Sequence, residues 1–127
     1  MSTEAIRYNT LEVDETEVIT SDRFVKLSAT GKAENCDTAG ESAIGIAVDS
    51  STNKSSRAIT VVDLQGGGVA EVAVGGAVAI GDNLATDGDG KAVEATTGQR
   101  ILGVAKSAGT TDGDIIQIVL GSTGRVA

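Results

Sequence analysis

The chain has 127 residues and a formal charge of -8, from eighteen acidic and ten basic residues with no histidine. That balance opposes a nucleic-acid or anionic-membrane partner, and without histidine no Ser-His or Cys-His nucleophile pair and no imidazole metal ligation can be built. Seventeen glycines stand beside one Phe, one Tyr and no Trp, so the interior of a chain that is one domain by length is thin and aliphatic, and a partner is expected to complete its burial.

Residues 1–10 precede the first apolar pattern and read as an extended N-terminal arm. Ile6, Arg7 and Tyr8 are its candidate contact residues, since Ile6 and Tyr8 are large apolar groups on a polar tail and suit docking to a partner. The arm lacks a basic and then apolar leader, and no run of about 18 apolar residues follows, so neither a signal peptide nor a membrane span is expected and synthesis belongs in a cytoplasm. The next segment, Leu11 to Asp22 (LEVDETEVITSD), carries five acids and no base. It fits an exposed edge strand whose charge discourages unwanted strand addition.

Glu17 to Ser50 echoes Ala77 to Ala108. Asp22 matches Asp82, Phe24 matches Leu84, and Gly31-Lys32-Ala33 matches Gly90-Lys91-Ala92. After one skipped residue Gly40 falls on Gly98, Gly45 on Gly103 and Ala47 on Ala105, and each half closes on a strand, AITVVDL or DIIQIVL. These are two copies of one β module, about 11–64 and 71–120, within a single domain 11–127 and joined by QGGGVAEVAVGG. Neither copy can bury its own apolar face, so the two are expected to pair across a pseudo-twofold into one small barrel or sandwich. Gly45 and Gly103 fall mid-strand, where glycine marks a bulge, a bend or close backbone packing.

From Val72 to Leu120 the chain is a train of short Val- and Ile-rich runs, AVAI, KAVEA, RILGVAK and DIIQIVL, separated by GDN, DGDG, TTG and TTDGD. The runs predict strands and the separators predict turns, with Gly90 in the reversal between Ala85 and Lys91 and Gly98 in the next one. No helical period of apolar residues occurs, so the fold class is all-β, a small barrel or sandwich of short antiparallel strands. GSTGRVA, after Leu120, reads as a short free tail.

The remaining motifs are weak. Asp87-Gly88-Asp89-Gly90 resembles the start of a calcium loop, but the twelfth residue from Asp87 is Gly98 where such a loop needs Glu. Gly66-Gly67-Gly68 lacks the Lys-Ser/Thr pair of a phosphate cradle, and Asn53-Lys54-Ser55 is a glycosylation sequon in a chain without a secretory leader. Cys36 stands alone in a polar run, a bystander unable to form an intrachain disulfide. No cofactor, no metal and no enzymatic activity are expected.

The stretch GDNLATDGDGKAVEATTGQRILGVAKSAGTTDGDIIQIVL resembles the head decoration, or capsid cement, proteins of tailed bacteriophages. The similar features are a GD-x-L strand start, a DG-x-GK turn, a Gly before ILGVA and a closing alternating strand ending in Leu. The resemblance implies a structural virion protein on the outer capsid surface, with the major capsid protein and itself, as a homotrimer, for partners. A tail or fibre-base β domain is the alternative reading. A carbohydrate-binding module fits less well, because such modules present aromatic platforms.

Overall fold

A computed structural model describes residues 8–14, 17–51, 58–64 and 68–126. The strands are β1 (Tyr8–Glu12), β2 (Phe24–Leu27), β3 (Ala33–Asn35), β4 (Gly45–Ala47), β5 (Ala58–Asp63), β6 (Val69–Ala73), β7 (Asn83–Thr86), β8 (Ala92–Glu94), β9 (Arg100–Ala105) and β10 (Ile115–Arg125). No α-helix forms among the described residues, and the protein is all-β, as its turn-punctuated Val and Ile runs require.

The strands make two five-stranded sheets, ordered β1-β5-β4-β2-β3 and β6-β10-β9-β7-β8, with every pair of neighbours antiparallel. Raising each label of the first order by five gives the second. The duplication read in the sequence is therefore a duplication of topology, down to single hydrogen bonds. The Ser28 amide donates to the Lys32 carbonyl at 2.7 Å, and the Asp87 amide to the Lys91 carbonyl at 2.8 Å. Each sheet curls until its edges meet, Val13 bridging Ala33 in the first and Val74 bridging Ala92 in the second.

Curling gives each module its own interior. In the first it is Val13, Ile19, Val25, Ala33, Ala47, Ile59 and Val61, all buried as one cluster. Ladder register and bridging hydrogen bonds match these in order to Val74, Val78, Leu84, Ala92, Ala105, Ile116 and Ile118, which are also buried. Aliphatic side chains of this size fill a small closed sheet without aromatic rings.

Register corrects the sequence alignment of the copies by one residue. Val25 lies opposite Gly45 and Leu84 opposite Gly103, so Leu84 corresponds to Val25 and not to Phe24. Asp22 corresponds to Gly81 and not to Asp82. Both take positive φ, 62° and 90°, and their amides donate to Ala47 and Ala105 at 2.7 and 2.8 Å. Alignment by residue type rewarded Asp with Asp and a bulky apolar with another. In a pleated sheet that one-residue slip exchanges the two faces.

Four further expectations change. Tyr8 to Thr10 do not extend as an arm but open β1, the edge strand beside β5, because backbone pairing needs no apolar alternation; Ile6 and Arg7 lie outside the described residues. AVAI is not a strand: only Val78 bridges, to Gly109, and the Asp82 carboxylate takes the Ala79 amide at 2.9 Å and turns the chain. The strand is the following NLAT, β7. The tail GSTGRVA is not free, since β10 resumes pairing with β9 after an irregularity between Leu120 and Gly124, where Gly124 takes a φ of 109°. The fourth concerns how the modules meet.

Candidate functional site

The outer face of the first sheet carries an unbroken cross-strand row, Phe24 beside Ile46 beside Val62. These residues are buried to 0, 1 and 3 % exposure by the second module, in one cluster with Leu64, Val72, Leu102 and Leu120. Backbone register pairs Tyr8 with Val62. Burying a Phe, an Ile and a Val is worth roughly 5 to 9 kcal/mol, taken as an upper bound.

Backbone hydrogen bonds fix the junction. The Phe24 amide donates to Gly90 at 2.8 Å, the Ala73 amide to Asp22 at 2.8 Å, the Gly40 amide to Thr86 at 2.9 Å and the Arg100 amide to Gly40 at 3.1 Å. A twofold would pair their counterparts reciprocally, with Asn83 on Gly31 and Glu12 on Gly81. Instead Gly31 and Gly81 are exposed and a Cβ added on either would meet no atom within 4 Å, whereas Gly90 is buried and a Cβ there would lie 3.0 Å from the Phe24 carbonyl. The modules are arranged head to tail and not across a pseudo-twofold. A heterologous contact of this kind leaves one unmatched surface at each end.

Beside the junction is a cleft of about 220 Å³ whose walls include Asp22, Ile46, Val62, Val69, Ala70 and Glu71. Burial, then the neighbouring Glu71 carboxylate, raises Asp22 above its ordinary value of 3.8. On the other side Cys36 is fully buried and belongs to the shared core, so it is a small apolar filler and not a surface bystander. Burial first, then Glu41, pushes its thiol up to about 12, which leaves it unreactive. Lys26 ties down the adjoining loop, with its Nζ 2.8 Å from both Asp37 and Glu41. The hydrogen bond to Lys26 holds Asp37 below its ordinary value.

The sequence-predicted positions divide by role. Gly45 and Gly103 are where neighbouring backbones come closest: a Cβ on Gly45 would meet the Val62 carbonyl oxygen, and one on Gly103 would lie 2.6 Å from that of Val119. Gly90 and Gly98 sit in turns at φ 79° and 83°, and only Gly90 touches the junction. In the DGDG turn Asp87 Oδ1 accepts the amides of Asp89 and Lys91 at 2.8 and 2.9 Å, so the carboxylate serves its own turn. Among the described residues no group of three or more His, Cys, Asp or Glu side chains is placed to hold a metal ion. The sequon at Asn53 lies outside the described residues. The Phe24 row was missed at the level of sequence, although its signal was present: in register, the chain's one Phe stands where the second copy carries Asn83.

No protein-family model matches the chain, and no curated protein does. Structure finds what sequence does not. The fold matches the N base of head fibre gp8.5 of bacteriophage phi29, with a TM-score of 0.71 at 18 % identity over 97 % of this chain and 99 % of that one. A likeness at that identity establishes a shared fold. It runs over nearly the whole chain and so includes both modules.

Proposed function

We propose that this protein is a structural component of a tailed-phage virion, the base domain through which a head-attached projection sits on the outer capsid surface. The observation that carries the reading is the match to the phi29 head-fibre base over nearly the whole of both chains. It favours the fibre-base alternative over the cement reading, because the resemblance to decoration proteins covers mainly residues 72–120 while the fibre-base likeness covers 97 % of the chain. The partners are the major capsid protein and further copies of this chain, as a homotrimer. No catalytic step is assigned to it.

The composition supports this. An acidic chain is repelled by packaged DNA, which favours the outside of the head. Ile6, Arg7 and Tyr8 are assigned to the capsid contact; Tyr8 opens the edge strand β1. Copies repeated on a lattice convert modest contacts into firm attachment through effective concentration. Co-sedimentation with purified tailless heads tests the assignment: the protein should pellet with heads and not with detached tails, and a form lacking residues 1–7 should pellet less. Equal recovery on tails, or none on heads, would overturn it.

A further inference from the structure

We propose that the junction inside the chain is also the pattern for the contact between chains: the first module of one copy seats on the outer face of the second module of the next, head to tail. The claim deepens the self-association named above and rests on it. It commits to one occupant, a second copy of this protein, because the surfaces required are the two ends that the internal contact leaves unmatched.

One end is the outer face of the second sheet. Ladder register makes Asn83, Val104 and Val119 the counterparts of Phe24, Ile46 and Val62. The first-module row is covered, whereas Asn83 is exposed, Val104 half-buried and Val119 42 % exposed. The other end is the edge of the first module. Glu71, Ala73 and Gly90 meet the first module at the junction, and their counterparts Thr10, Glu12 and Gly31 are all exposed. Transferring the internal contact to two chains places Thr10 beside Val119, the Glu12 amide on the Gly81 carbonyl and the Asn83 amide on Gly31.

Two differences set the strength of the contact. Asn83 replaces Phe24, so less apolar area is buried. At one corner Gly98, the counterpart of Gly40, already donates its amide to Val126 of its own chain at 2.8 Å, so the bond that Gly40 makes to Thr86 has no copy between chains. The contact is thus a weaker repeat of the internal one, as suits chains that fold first and assemble afterwards. In a homotrimer three chains carry six modules, and internal and external junctions alternate around a closed ring.

The test uses the full chain in two variants, Thr10→Cys and Val119→Cys, with the buried Cys36 out of reach of reagent. A short bis-maleimide should join the two variants when mixed and join neither to itself. Native mass should be three times that of the chain, and Val119→Asp should reduce it to monomer without changing the circular dichroism. Self-cross-linking of Val119→Cys would show a symmetric contact and overturn the proposal, as would a monomer at the highest concentration the protein tolerates. An oligomer that survives Val119→Asp would overturn this interface while leaving self-association standing. Head binding is scored separately by sedimentation, so failure here and failure of the fibre-base reading are distinguishable.

Discussion

The Phe24 amide donates to the Gly90 carbonyl at 2.8 Å, joining the first strand of one module's hairpin to the turn that closes the other's. Gly31 is the same turn position in the first module, at the same φ of 79°, and a Cβ added there would meet no atom within 4 Å. The pair separates two costs of adding a methyl group. Gly31→Ala should lose about 1 to 2 kcal/mol from the left-handed backbone alone. Gly90→Ala should lose more, because its Cβ would also press on the Phe24 carbonyl, and urea unfolding of both variants reads the difference.

Phe24→Ala should cost about 3 to 5 kcal/mol, since it removes the largest fully buried side chain from the shared core. Because that side chain belongs to the junction, both modules should be weakened together. Thermal unfolding followed at backbone and at side-chain level should give one lowered midpoint for both. Two separated transitions would show that the modules are independent.

Two carboxylates should respond to pH with opposite signs. Asp22 is raised above 3.8 in the folded protein, so the folded state binds more protons between that value and its own. The stability it contributes is full below 3.8 and lost as pH rises through the folded value. Asp22→Asn should therefore gain stability over the native protein at neutral pH, with the gain fading in acid, and Asn also tolerates the positive φ. Asp114 is lowered, chiefly by accepting the Thr110 and Thr111 amides. Its contribution is present above 3.8 and lost as pH falls through the folded value, so Asp114→Asn should lose stability at neutral pH and match the native protein in acid.

How much was legible in the sequence follows from what each signal depends on. Turns were legible because Asp87-Gly88-Asp89-Gly90 and its relatives act through local backbone chemistry. The duplication was legible because Gly45 and Gly103 are fixed by close backbone approach, which admits no other residue. The ladder register was not, since hydrogen bonding is blind to side-chain type and Asp22 could be matched to Asp82 as well as to Gly81. The strand at Tyr8 was hidden for the same reason. The head-to-tail junction was least legible, because a row such as Phe24, Ile46 and Val62 assembles from three strands and shows as a surface only after the sheet has formed.

The cement and fibre-base readings part on the mechanical stability of heads. A cement clamps neighbouring capsomers and stabilises the shell by linkage, whereas a base seated on one capsomer would add no such clamp. Heads stripped of the protein and then restored should release DNA at the same temperature, followed by dye uptake on heating. A higher release temperature after restoration would return the assignment to cement.

Cryo-electron microscopy of particles with and without this protein tests the central claim most directly. Density of paired five-stranded modules, head to tail, should stand on the outer capsid surface of complete particles, with bare shell in particles lacking the protein. The same density found on the tail, or identical heads in both samples, would contradict it.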